Sequence, residues 1–186
     1  MKYYKLRADV NNYAWLECKD KYFNQLFSMR GESLLNEWDV ITLTRIHERV
    51  ELPLGDYPNF TVPIVSNKIK AILDSICDNY IEYLPIKIKK CDEIYYIFNV
   101  LNILDCINKE KSDIKYFSDG GLMEIQNYTF NEIPNNESKV FRIKGYEKSI
   151  YINNDVKNTL EQNNCFGLLY EDTSLPYENP FKKLLL

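Results

Sequence analysis

The feature that most constrains this chain is a construction it uses twice. "TVPIVSNKIKAIL", residues 61–73, returns in pattern as "EKSIYINNDVKNTL", residues 147–160. Val65 matches Ile152, Ser66 matches Asn153, Asn67 matches Asn154, Ile69 matches Val156, Lys70 matches Lys157 and Leu73 matches Leu160, at an offset of 87 residues throughout. Each copy reads as strand, cap and helix. Ser66 and Asn153 carry side-chain oxygens able to accept a bond from an unpaired first-turn N–H. Ile69, Ile72, Leu73 and Ile76 fall at i, i+3, i+4 and i+7, on one helical face. The second copy keeps only Val156 and Leu160, so its buried face is smaller. A strand follows each helix, "IEYLPIKI" after the first and "CFGLLYE" after the second.

The rest of the chain is dominated by strand signals. "KYYKLRADV" alternates Tyr4, Leu6 and Ala8 against Lys5, Arg7 and Asp9. "YFNQLF" suits either a strand or a short helix, "GESLLNEW" a loop with a helical turn, and the β-branched "DVITLTRIH" a strand. "ELPLGDYPNFTVP" is a loop that closes the N-terminal third. "DEIYYIFNVLNILDCI" is apolar on both faces and reads as one central strand, 94–104, framed by the two copies; a helix is the competing reading. "IKYFSDGGLMEIQNYTF" and "KVFRIKGYEKSIYI" have the form of hairpins, the first turning at Asp119-Gly120. The expectation is an α+β fold, a mostly antiparallel or mixed sheet with two main helices. Residues 1–186 are expected to form a single domain, with a β subregion at 1–52 and a core at 53–172.

Composition narrows the function. A chain of 186 residues with 45% hydrophobic content can hold a core without staples. Its net charge of −4 and pI near 5.2 count against nucleic acid as a partner. The short basic runs "KIKK" and "KEK" read as solvated strand ends or loops. The 15 tyrosines and 9 phenylalanines suit half-buried strands and binding surfaces. Five cysteines without a C-x-x-C favour a reducing compartment. "MKYYKLRADV" lacks the apolar run of a signal peptide, and no window is long and apolar enough for a membrane span. A soluble, cytoplasmic location is expected. Abundant Lys, Asn, Ile and Tyr point to an AT-rich, bacterial genome.

Catalytic motifs are missing. His47 is the one histidine, and no nucleophile elbow, phosphate loop or dinucleotide fingerprint accompanies it. No metal or cofactor is called for. Asp105, in the apolar "NILDCI", reads either as a general base or as a structural carboxylate accepting bonds from Ser112 or nearby N–H groups. Arg142, alone between Phe141 and Ile143, suits an ion pair. A small carboxylate-dependent enzyme using Asp105 and Arg142 is thus one reading; a generic interaction domain is another.

The ordered set "LGDYPNFTVPIVSNKIKAIL", "IEYLPI", "YYIFNVLNILDCINKEKSDI" and "VFRIKGYEKSIYINNDVKNTLEQNNCFGLLYED" resembles a bacterial family, immunity family eleven of polymorphic toxin systems, first catalogued as a domain of unknown function. The positions carrying the likeness are Asp56, Val65, Ser66, Tyr95, Tyr96, Asn99, Asp105, Ser112, Phe141, Arg142, Asn153 and Gly167, across about residues 52–172. Asn153 stands where serine is commoner, and the first 50 residues match only loosely. The resemblance implies no catalytic residue. It implies a protein that protects its producer by binding a toxin encoded nearby; a non-enzymatic role is expected, with an enzyme that reverses a toxin-made modification as the alternative. Asp56, Ser66, Tyr95, Asn99, Asp105, Ser112, Arg142 and Gly167 are read as structural. Asp92, Glu93, Tyr116, Asp119 and Tyr146, at strand ends and turns, are the candidate partner-binding residues, acidic for steering and aromatic for anchoring.

Overall fold

The computed structural model describes residues 1–18, 30–47, 51–77 and 80–176. "YFNQLF" lies outside the described residues. The first strands are β1 (Tyr3–Ala8), β2 (Leu16–Cys18), β3 (Thr42–Arg45), β4 (Ile64–Ser66), β5 (Ile81–Ile88) and β6 (Tyr95–Val100). The later ones are β7 (Ile103–Leu104), β8 (Asp113–Tyr116), β9 (Leu122–Asn127), β10 (Val140–Ile143), β11 (Tyr146–Asn153) and β12 (Leu168–Asp172). Helix α1 (Asn67–Ile76) follows β4 and helix α2 (Asn154–Gln162) follows β11; a short 3-10 turn occupies Leu35–Glu37. The fold is α+β. One mixed sheet runs β12-β1-β11-β10-β7, a second runs β2-β3-β5-β6-β4, and β8–β9 forms a separate hairpin.

The duplicated sequence is a duplicated structure. In the first copy β4 leads through α1 to β5, and β6 lies antiparallel between β4 and β5. In the second, β11 leads through α2 to β12, and β1 lies antiparallel between them. The registers agree: Val65 faces Tyr96 as Ile152 faces Tyr4, and Ser66 faces Tyr95 as Asn153 faces Tyr3. Polar contacts repeat as well. The Tyr96 hydroxyl donates to Asn67 Oδ1 at 3.3 Å, and the Tyr4 hydroxyl to Asn154 Oδ1 at 3.3 Å. Lys70 sits 4.8 and 5.9 Å from the Tyr83 and Tyr96 rings and pairs with Asp74. Lys157 sits 5.2 and 5.3 Å from the Tyr170 and Tyr4 rings and pairs with Glu161. Strand order alone differs, because the middle strand comes last in the first copy and opens the chain in the second.

Both caps form. Ser66 Oγ accepts from the Ile69 N–H at 3.3 Å, and Asn153 Oδ1 from the Val156 N–H at 3.0 Å. Each helix buries a narrow stripe, Ile69 and Leu73 on α1 and Val156 and Leu160 on α2. Those stripes meet in one cluster that also holds Val65, Phe98 and Val100 from the first copy and Tyr4, Leu6, Ile150 and Ile152 from the second.

The expectation of a single strand over 94–104 is corrected. The chain leaves the second sheet after Val100 and enters the first as β7, parallel to β10. Asn102 fixes the step: its Nδ2 donates to the carbonyls of Glu137 at 2.8 Å and Val140 at 3.0 Å, and its own carbonyl accepts from the Arg142 N–H at 2.8 Å. The two copies therefore do not frame one strand. The first embraces β6 and the second embraces β1.

Leu73 and Leu160 occupy equivalent places in the shared cluster. Leu73→Ala and Leu160→Ala are each expected to lower unfolding free energy by about 2–5 kcal/mol. The double variant should depart from additivity, because both cavities open into one core. Urea titrations with an unchanged m-value check this.

Candidate functional site

The β8–β9 hairpin departs most from the duplicated core. Its tip is a short, internally bonded loop: Phe117 N–H donates to the Gly121 carbonyl at 2.8 Å, and Asp119 Oδ1 accepts from the Gly121 N–H at 2.9 Å. Gly120 takes a φ of +85°, the left-handed region that a side chain would resist. The loop so fixed leaves Tyr116 49% and Phe117 51% exposed, and Met123 is exposed beside them.

Two cavities open beside this hairpin, of about 640 and 430 Å³, and both are lined by Phe117, Tyr146 and Lys148. The larger reaches the middle of the first sheet, where Lys5 and Arg7 project from β1. Arg7 is paired with Glu171, and Lys115 with Glu124 at 3.3 Å. Lys148 Nζ lies 4.7 Å from the Tyr146 ring centre and donates to the Met123 carbonyl at 3.2 Å.

Lys5 is the anomaly. It is only 8% exposed, yet among the described residues its ammonium has no hydrogen bond or ion pair; it lies 5.5 Å from the Tyr146 ring centre, and Glu171 stands directly across from it on β12. Burial, then the Arg7 and Lys148 charges, bring its pKa from 10.5 down to about 8, against the weaker pull of Glu171 and Glu124. Burial also raises the Tyr146 hydroxyl pKa.

Of the sequence candidates, Asp119 and Tyr146 line the smaller cavity, and Tyr116 stands at the end of β8 just before the tip. Asp92 and Glu93 sit elsewhere, exposed in the turn between β5 and β6, and line neither cavity. Glu93 accepts from the Tyr95 hydroxyl at 3.1 Å.

Several of the residues carrying the family likeness are engaged in holding backbone. Asp56 accepts from Ser66 Oγ at 2.6 Å and from the Phe166 N–H at 2.9 Å, tying the α1 cap to the segment after α2. Tyr95 donates to the Gly55 carbonyl at 2.9 Å. Gly167, with a φ of +85°, passes against the Tyr57 backbone, where an added Cβ would lie 3.5 Å from its N and O atoms. Asn99 Nδ2 donates to the Glu32 carbonyl at 2.8 Å and to Glu82 at 3.1 Å. Ser112 exchanges bonds with the Thr129 backbone, accepting at 2.9 Å and donating at 3.2 Å.

Two expectations are corrected. Asp105 is not sunk in apolar surroundings: its side chain is 64% exposed and faces Lys144 at 3.6 Å, because β7 is short and lies at a sheet edge. Ser112 is not its partner. Arg142 forms no ion pair among the described residues. It is 2% exposed, and its guanidinium donates to the carbonyls of Val100, at 2.9 Å, and Glu147. Burial lowers its pKa.

Sequence reasoning missed Glu82, Lys5 and Lys148. Glu82 is buried in β5, where it accepts from Ser33 and from the Leu34 N–H at 3.0 Å. A charged residue in an alternating strand reads as solvent-facing. Only a strand with neighbours on both sides and a hairpin above it reverses that reading for Lys5. The cysteines are free among themselves, and burial pushes the Cys106 thiol up to about 12, far from a nucleophile's range. Among the described residues no helix is long and apolar enough to cross a membrane.

Fold and groove together describe an α+β scaffold that presents a fixed hairpin above a cationic hollow. A family model described as "Immunity protein family (Imm11)" matches residues 11–174, and the chain belongs to that family. No curated protein matches the chain.

Two variants test this account. Lys5→Met should raise stability by on the order of 2 kcal/mol near pH 7. Lys5 binds its proton less tightly in the native state than in the unfolded one, so the cost of burying the cation is full below about pH 8 and fades toward pH 10.5. The gain from Lys5→Met should therefore shrink over that window, as read by thermal melts across pH. Asp56→Ala should cost about 2 kcal/mol, since it strands the Ser66 hydroxyl and the Phe166 N–H.

Proposed function

We propose that this protein neutralises a cognate toxin, encoded beside it, by binding it one to one and covering its active site or substrate groove. Membership of an immunity family supports a toxin as partner. The observation that carries the binding mode is the hairpin tip, where Tyr116 and Phe117 are held exposed on a hydrogen-bonded turn. Aromatic anchors of this kind supply most of the affinity in protein interfaces, and a rigid loop loses little entropy on docking. Tyr146 and Asp119 extend the surface into the hollow behind them. Asp92 and Glu93, on the other sheet, act at longer range by steering a basic toxin. The setting we infer is the bacterial cytoplasm, within a polymorphic toxin system.

The enzyme reading has no comparable support. Asp105 is an exposed carboxylate opposite a lysine, and the Arg142 guanidinium faces carbonyl oxygens in the interior.

Titrating the toxin encoded by the adjacent gene with this protein should give an endpoint at equimolar protein. Protection at far below equimolar amounts would indicate turnover and sink the occlusion mechanism. Tyr116→Ala and Phe117→Ala should each weaken the complex at least tenfold, about 1.4 kcal/mol or more, with unchanged melting curves. Asp92→Ala with Glu93→Ala should act mainly on the association rate and lose its effect at high salt.

A further inference from the structure

We propose that the hollow beneath the β8–β9 hairpin is a carboxylate-binding subsite, in which Lys5 and Lys148 seat an acidic side chain of a protein partner. The identity of that partner as a protein rests on the binding reading above; the subsite itself rests on geometry. Lys5 is nine-tenths buried, lines the larger cavity and has no hydrogen-bond or ion-pair partner among the described residues. A buried cation without a counter-charge is costly, and an incoming carboxylate relieves that cost. The neighbouring carboxylates answer it only at a distance, because each is engaged with another cation: Glu171, across the strand from Lys5, pairs with Arg7, and Glu124 with Lys115. Lys148, exposed and on the same aromatic ring as Lys5, gives the second donor.

The walls indicate which anion fits. Leu6, Pro63, Phe117 and Met123 line the same cavity, so an acidic residue flanked by apolar ones matches it. A polyphosphate or nucleic acid matches it less well, since Glu124 lines the cavity, Glu171 stands at Arg7, and the chain as a whole carries −4. Lys5 and Arg7 precede the family-matched residues 11–174, so the family does not assign them.

The test uses the full-length protein labelled with ¹³C-lysine and three probes: acetyl-Leu-Glu-Leu-amide, its Gln analogue, and inorganic pyrophosphate. The Glu peptide should shift the Lys5 and Lys148 side-chain signals, bind about tenfold more tightly than the Gln peptide, and raise the Lys5 titration midpoint from about 8. Arg7, Lys148, Tyr146, Glu124 and Glu171 surround Lys5, so the midpoint is read again in Lys148→Ala, where it should start higher because a neighbouring charge is gone. Lys5→Met and Lys148→Ala should each weaken peptide binding about tenfold. Equal binding of the Gln peptide, tighter binding of pyrophosphate, or an unmoved Lys5 signal with every probe would each overturn the subsite. With the toxin, a wild-type complex that Lys5→Met and Lys148→Ala leave unchanged overturns the subsite and leaves the immunity reading standing. No wild-type complex at all removes the immunity reading, while the peptide result still decides the subsite.

Discussion

The two strand–helix–strand units share one core between their helices, and the rest of the structure follows from that. Each helix is about ten residues long, with a stripe of two fully buried side chains. A helix of that length is marginal alone. Each stripe packs on the strands of its own copy and against the other helix, so Leu73, Val156 and Leu160 share one cluster with Phe98 and Ile152. Burying such side chains is worth about 1.5–3 kcal/mol apiece. Because β1 completes the second copy, the first strand of the chain is needed to cover the last helix. The pairing is therefore long-range in sequence.

Once the copies lock, the segments between them are free to differ. Residues 101–145 join the first copy to the second and carry the β8–β9 hairpin, which answers to nothing in the duplicated pattern. A rigid frame with a variable connection is a common way to present a recognition surface. Asp56, Tyr95, Asn99 and Gly167 sit on the frame side of this division, each engaged with backbone. Tyr116, Phe117 and Asp119 sit on the presenting side.

The division also explains what the sequence made legible. Caps, helical stripes and hairpin turns are local, and Ser66, Asn153 and Asp119-Gly120 announced them by residue type and spacing. The 87-residue repeat was visible through Lys70 and Lys157, though not the shared tyrosine platforms that make those lysines equivalent. The misreadings all concern partners distant in the chain. The run 94–104 looks continuous until Asn102 is tied to carbonyls near residue 140. Asp105 looks buried by its neighbours in sequence and is exposed by its place at a sheet edge. Glu82 and Lys5 look solvated by alternation and are covered by a loop and a hairpin that no local pattern foretells.

Arg142 and Lys5 make the contrast that matters for function. Both are cations sealed within a strand of the same sheet, and burial disfavours the charge of each. Arg142 is answered by two carbonyls at fixed positions, so its charge belongs to the frame. Lys5 has an aromatic face and two like charges for company, and its opposite charges are engaged elsewhere. A frame that gives one buried cation two carbonyls and the next one no hydrogen bond among the described residues, beside a hairpin outside its repeat, places that second charge where a partner's carboxylate would be most strongly felt.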